Sequence, residues 1–487
     1  MKWEKKQAGE PAAKPEYIVH PLQWLLASVI LIYLFGTLLP VHFTWGFNIW
    51  SVFPAPTALS VLILAALLMI IPVRSRFHMK YEGLKQSAYA YLLKNNRYFN
   101  LILLSLGLFV IFYIFRSRAL VYGDGYLVLS YLTAPEYSFD INTFFMKPLE
   151  VLLQRGIFSL LSGFISTAPE NIPAIVNAVG GVSGFWALNR IARTITGRDN
   201  NHWVIMTGFL GSASVVLFFG YLENYTLVTA LSLWSLAFAM GYMKGQNGPL
   251  PSVIMGLLAV GFHVLAVSFL IASILAILIK NEKNKAFIKK KPGKIYGVIT
   301  ILSFIIALIF QVLNIPDYIV KIWPDANNRY WFFSVAHLVD ILNLLLLVAP
   351  VGLIVLLFNI ISKPDEKEIE HTEYLLILTA LLSFLITFWV NPELGAPRDW
   401  DLLSLCGFPL TIWGIYRLSR RYPQPMLQMR FLFPFGLLTL ILLVPNLYEK
   451  NHLSVAAGRL DRMLWDDAHY QTDYKSAERC IYWSYIL

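Results

Sequence analysis

The chain has 487 residues, of which 57% are apolar and 14% charged, with a mean hydropathy of +0.60. A soluble globular chain is roughly half apolar and about a quarter charged, so this composition excludes a set of soluble domains and a disordered chain. The apolar runs are also too long for barrel strands. The net charge of +10 does not indicate nucleic acid, because Lys and Arg collect in short loops between apolar runs, the pattern that sets membrane topology, and no basic, aromatic soluble module accompanies them.

In chain order, residues 1–20 are polar and the apolar stretch after them lacks a small-residue cleavage site, which predicts a retained first span. Spans are expected at 21–39, 53–72, 99–115, 172–192, 203–219, 225–243, 265–279, 295–314, 339–361, 374–390, 403–417 and 431–447. The expected fold is therefore an all-α polytopic membrane protein of about 12–13 transmembrane helices. Segment 149–166 carries Glu150, Gln154 and Arg155 among its leucines. A charge at the bilayer centre costs about 2.5–3.5 kcal/mol, so this segment is expected to lie along the interface or to re-enter. Segment 252–262 is too short to cross alone and is expected to meet the next helix at His263.

With the N-terminus in the cytoplasm, 27 of the 39 Lys and Arg fall in the inner segments, including the run Lys289, Lys290, Lys291. A full span at 149–166 would turn the Arg190, Arg193, Arg198 loop outward, against that bias. The outer face then receives 116–147, 220–224, the turn at 263, 315–338, 391–402 and the tail 448–487. Three parts are expected: an N-terminal segment with two spans and a basic loop (1–98), a transmembrane module (99–447), and a short outer tail (448–487). Gly180, Gly181 and Gly184 read as close helix packing. Cys406 and Cys480 form neither a metal spacing nor a disulfide framework.

The outer segments hold the polar clusters. In Val121-Tyr122-Gly123-Asp124-Gly125-Tyr126, an acid between two glycines admits close approach by a ligand, although Gly-Asp-Gly is also ordinary turn chemistry. It is no dinucleotide fingerprint, since Val128 stands where the third glycine belongs. In Asn391 to Asp401, Asp399 and Asp401 offer hard oxygens to a divalent cation and Arg398 a planar fork for phosphate; an internal Arg–Asp ion pair is the plainer reading. Glu223, between two spans, reads either as a helix-start feature or as a functional acid at membrane depth. His263 reads either as a packed residue or as a ligand contact. The loop Trp323 to Trp331 reads as an interfacial anchor or as a head-group contact. Zinc-protease, Walker, CxxC and serine-hydrolase strings do not occur in the sequence.

A span leading into an outer loop with an early Asp124, then Lys147-Pro148-Leu149-Glu150 and an interfacial helix, resembles the GT-C superfamily of membrane glycosyltransferases. The later order is similar too: Glu223 at an outer junction, a short helix, His263, then a full span. The likeness is to the protein mannosyltransferase and aminoarabinose transferase branches, over roughly 95–447, and lies in layout. It implies a polyprenyl-phosphate sugar as donor and transfer with inversion to a hydroxyl of a protein, lipid or glycan; the charge bias turns the site to the periplasm or exterior, and the compactness of the chain points to a bacterial inner membrane. It implies Asp124 as base and Lys147 and Arg398 as phosphate contacts; Glu223, His263, Asp399 and Asp401 are the further substrate-binding candidates, and a divalent metal is left open. The sequence departs from the pattern in its two extra leading spans, in Gly-Asp-Gly where paired acids are commoner, and in having only a short tail. The alternatives are a secondary transporter or lipid flippase, which would place polar groups at mid-bilayer on repeated halves, and an O-antigen polymerase or ligase, which would carry a long arginine-rich outer loop.

Overall fold

The structure is a computed structural model that describes residues 21–70, 97–123, 125, 128–129, 132, 147–162, 168–197, 202–280, 297, 300–301, 303, 305, 319–324, 330–361, 370–392, 395–421 and 432–465. Among these residues the secondary structure is helical, with one isolated antiparallel bridge between Ile319 and Val390. The helices are α1 (Pro21–Leu38), α2 (Ala55–Ile70), α3 (Arg97–Ile114), α4 (Pro148–Ser162), α5 (Asn171–Thr196), α6 (His202–Leu210), α7 (Tyr225–Met243), α8 (Leu250–Phe262), α9 (Val267–Lys280), α10 (Val335–Val348), α11 (Pro350–Ile361), α12 (His371–Trp389), α13 (Gly407–Arg421), α14 (Leu432–Asn451) and α15 (Leu453–Trp465), joined in places by single helical turns.

Among the described residues, five helical stretches are long and apolar enough to cross a membrane: α5, α7, α12, Trp400–Arg421 and α14. A sixth arises if the bent pair α10–α11 is one span. The runs expected at 21–39, 53–72, 99–115 and 265–279 are apolar helices of shorter length. The run expected at 295–314 lies outside the described residues apart from 297, 300–301, 303 and 305.

Two expected spans are not continuous helices. The stretch 203–219 stops at Leu210, passes through an extended Ser212 (φ −146°, ψ 137°) and resumes as a 3-10 helix over Ala213–Phe218. The Ser212 hydroxyl accepts from the Ser214 amide at 3.1 Å and so starts the new helix. The stretch 339–361 bends by 100° between α10 and α11. Pro350 explains the bend: it has no N–H to donate, and its ring pushes the preceding residue out of the helical region, where Ala349 sits at φ −141°, ψ 39°.

Broken helices expose backbone carbonyls that must find partners inside an apolar body. Here the breaks serve one another. The Ser212 hydroxyl donates to Val348 O, the Tyr33 hydroxyl donates to Leu346 O at 2.5 Å, and the Ser214 hydroxyl donates to Ser404 O at 3.3 Å. The same rule acts in α14. Pro445 cannot donate to the carbonyl four residues earlier, and the Trp50 indole N–H fills that place on Ile441 O at 3.0 Å.

Among the described residues the main core is a large buried cluster, from Leu26 and Ile30 of α1 through Phe218, Val348 and Phe408 to Leu460 and Met463 of α15, with smaller clusters around Phe332 and Trp389 and around Ile279 and Tyr374. Large apolar side chains also point outward: Ile63, Leu64 and Leu67 on α2, and Phe99, Ile102 and Leu106 on α3. Contiguous apolar surface on this scale marks a face that meets lipid or protein.

A Cβ added at Gly407 would lie 2.6 Å from Val348 O and 2.7 Å from the Ser214 hydroxyl, where the breaks meet. The Gly407→Ala variant is expected to lose about 1–3 kcal/mol through overpacking, read as a lowered thermal midpoint; a midpoint equal to the parent's would show that the junction is loose.

Candidate functional site

The site is built around the turn that carries the Gly-Asp-Gly string. Asp124 itself lies outside the described residues, but both flanking glycines are placed. Gly123 adopts φ +58°, in the left-handed region that glycine enters without strain. A Cβ at this position would lie 2.5 Å from Glu223 Oε1 and 3.0 Å from Asp401 Oδ2. One at Gly125 would lie 3.0 Å from Leu222 O and 3.5 Å from Glu223 Oε1. Two acids far apart in sequence therefore converge on Gly123, where a side chain would crowd both, while at Gly125 Glu223 stands at ordinary contact distance.

Each acid is held by its own local structure. Glu223 sits in the turn between the 3-10 helix and α7, and both Glu223 and Asp401 are almost fully buried. On α5, Asn177 donates its side-chain amide to Tyr221 O at 2.5 Å and to Glu223 O at 3.1 Å, which fixes that turn. Asp401 lies in the first turn of the short helix Trp400–Leu403; its side chain accepts from the Leu402 amide at 2.9 Å, and its carbonyl accepts from the Ser404 hydroxyl at 2.6 Å.

The basic side chain facing this pair is that of Lys450, near the end of α14. Its ammonium lies 3.0 Å from the centre of the Tyr122 ring and 5.6 Å from that of Trp400, and it interacts electrostatically with Asp401 and Glu223. Its carbonyl accepts the amides of Arg118 and Ala119 at 2.8 and 2.9 Å. The neighbouring Glu449 accepts from the Tyr122 hydroxyl and from Arg459 Nη1 at 2.9 and 3.1 Å. Burial first, then the negative charges of Asp401 and Glu223, push the Tyr221 phenol well above its usual value, so it keeps its proton.

A second polar group lies along the inner face of α4. Lys147, Glu150 and Gln154 are buried there, while Leu152, Leu153 and Leu160 are exposed. The Gln154 amide donates to Glu150 Oε1. His263 is buried across from them at the break between α8 and the turn Val264–Ala266, where Nδ1 accepts from the Leu265 amide at 3.3 Å. Burial, reinforced by the charge of Lys147, pushes its imidazole down to about 3, so the ring is neutral and its proton sits on Nε2. The His263 ring stands 5.3 Å from that of Tyr225, two residues beyond Glu223, which links the two groups.

The sequence-predicted residues thus divide. Glu223 and Asp401 meet at the glycine turn; Lys147 and His263 share the α4 group. Arg398 and Asp399 stand on the turn just before Trp400, half-buried and buried respectively; their amides donate to Gly395 O at 3.0 Å. Among the described residues, no three of His, Cys, Asp and Glu form a metal-ligating set. Lys450, Glu449, Arg459, Tyr122 and Glu150 are members that sequence reasoning did not assign to the site. One signal was present: Glu449-Lys450 is an ionisable pair at the end of an apolar run, and such residues are functional candidates by default.

Comparison of the chain with protein-family models, with curated proteins and with solved structures found no match.

Burial pushes the Glu150 carboxyl up to about 8, against the opposing pulls of the Gln154 hydrogen bond and the Lys147 charge. The folded protein then keeps a proton that the unfolded chain releases near 4.5. The associated stability is complete below the unfolded value and is lost as pH rises towards about 8, at a limiting slope of about 1.4 kcal/mol per pH unit. The groups facing Glu150 are Gln154, Lys147 and, beyond it, neutral His263. Denaturation followed from pH 5 to pH 9 is expected to show this decline in the parent and a flatter profile in Glu150→Gln; parallel profiles would place the carboxyl's titration outside that window.

Proposed function

We propose that the chain is a polytopic membrane protein and an inverting glycosyltransferase of the GT-C kind, taking a sugar from a polyprenyl-phosphate donor to an acceptor hydroxyl at the outer face. The observation that carries the reading is the convergence of Glu223 and Asp401 on Gly123, with Glu223 also reaching Gly125, the two glycines that bracket the base candidate Asp124. The outward apolar residues of α2 and α3 and the leucine-outward face of α4 support the membrane part. An amphipathic helix with its leucines outside and its carboxyl inside is unfavourable in water and favourable beside lipid.

The chemistry needs few groups. The acceptor oxygen attacks the anomeric carbon as the bond to phosphate breaks. Phosphate leaves with the bonding pair, and the hydroxyl proton passes to the Asp124 carboxylate. Lys147 and Arg398 are the phosphate contacts the reading assigns, since cations are most useful where negative charge develops. Glu223 and Asp401 serve as hydrogen-bond acceptors for the acceptor substrate, and Lys450 offsets their charge. Any divalent metal would be recruited by Asp124 with these acids.

A transporter or flippase is the second reading, favoured by the broken helices, which recur at binding sites in transporters. Their carbonyls, however, are closed on one another by Ser212, Ser214 and Tyr33, so the breaks have a structural use.

In membranes supplied with radiolabelled polyprenyl-phosphate sugars and a membrane extract as acceptor, Asp124→Asn is expected to lower transfer about 10²–10⁴-fold at unchanged expression. Full transfer in that variant removes Asp124 from the base role. Uptake of labelled lipid across sealed vesicles without transfer favours the second reading, and release of the chain from membranes by alkaline carbonate overturns the polytopic assignment.

A further inference from the structure

The inner face of α4 carries two polar atoms that the fold leaves without a hydrogen-bond partner. Glu150 is 0% exposed and Gln154 3%. They bond to each other through Gln154 Nε2 and Glu150 Oε1, while Glu150 Oε2 and Gln154 Oε1 are buried with no partner. A buried polar atom left this way costs about 1–3 kcal/mol, and such atoms recur where a ligand completes the set. Positions 150 and 154 are one helical turn apart, so both oxygens belong to one face.

The surroundings restrict what fits. The Lys147 ammonium acts on both Glu150 and His263, and a ligand cation would meet that charge. An anion would face the two oxygens. What remains is a neutral group that donates hydrogen bonds and can also accept one. A hydroxyl does both: it donates to Gln154 Oε1, and it accepts from Glu150 whenever that carboxyl carries its proton. Leu152 is exposed on the far side of α4 and Leu153 and Leu160 on its flank, so an apolar chain lying against that flank would bring its head group beside this face.

We propose that Glu150 and Gln154 form the subsite that recognises the hydroxyls of the sugar on a lipid-linked donor. This rests on the glycosyltransferase reading and adds to it the place where the sugar, as distinct from its phosphate, is read. The two residues act in binding and leave proton transfer to the base candidate Asp124.

The test measures binding of purified full-length protein to a short-chain polyprenyl phosphate carrying glucose, mannose or arabinose, each against the same lipid phosphate without sugar. The parent is expected to bind at least one sugar-bearing lipid about tenfold or more tightly than the bare one, an advantage of about 1.4 kcal/mol. Gln154→Leu and Glu150→Leu are expected to reduce that advantage to less than about twofold, with bare-phosphate affinity retained. The exchanged double variant Glu150→Gln with Gln154→Glu restores one acid and one amide on the same face and is expected to recover part of the advantage, which guards against misfolding of the single variants. If the parent binds sugar-bearing and bare lipid equally, or both leucine variants keep the full advantage, the subsite is wrong and the donor reading stands. If the parent binds none of these lipids, the donor reading falls and the subsite with it.

Discussion

Burying an ion is costly unless a partner is built in with it, and the Glu449–Arg459 pair is where this chain meets that constraint. Glu449 takes two contacts from one arm of Arg459, at 2.9 and 3.1 Å, and the other arm donates to Trp45 O at 2.5 Å. The remaining acceptor capacity of Glu449 goes to the Tyr122 hydroxyl. Tyr122 thereby fixes the chain one residue before Gly123, while the carbonyl of Lys450 holds Arg118 and Ala119. Two adjacent residues of α14 grip the whole entry to the glycine turn, one by its side chain and the other by its backbone. The placement of Glu223 and Asp401 against Gly123 depends on that grip.

The same economy governs the interrupted helices. Each interruption frees carbonyls, and the freed groups are matched by hydroxyls from another interruption or from α1. Ser212, Ser214, Ala349, Ser404 and Gly407 therefore form a junction at which a methyl group is already too much. The junction places Trp400–Leu403 and the turn at Glu223 at a fixed separation, because both lead directly out of it. A rigid hub beneath and a grip from α14 together hold Gly123 against Glu223 and Asp401.

Much of the helix pattern was legible because an apolar run with a polar end leaves few options. The span expected at 225–243 coincides with α7, and 374–390 with α12 to within a few residues. The interruptions were not legible in the same way. Ser212 and Pro350 sit inside continuous apolar runs, and what makes a break tolerable there is a hydroxyl more than a hundred residues away. Glu223 and Asp401 could be singled out because acids at the ends of apolar runs are expensive, but their meeting point could not, since it is set by the space beside a glycine. Lys450 was assigned to a tail because hydropathy falls at 448, whereas helix geometry carries α14 on to Asn451. Glu150 and Gln154 were read as a cost to insertion; the structure turns both inward, so the residues that argued against a span turn out to line an interior face.

Trp50 donates to a carbonyl 391 positions further along, and Arg459 reaches back 414 positions to Trp45. The loop that carries Trp45 and Trp50 is thus clasped by α14 and α15. Contacts so distant in sequence are slow to form, and synthesis proceeds from the N-terminus at several residues per second. A nascent chain must therefore hold the 45–50 loop unlatched until α14 and α15 have been made, so the docking of those two helices closes the latch.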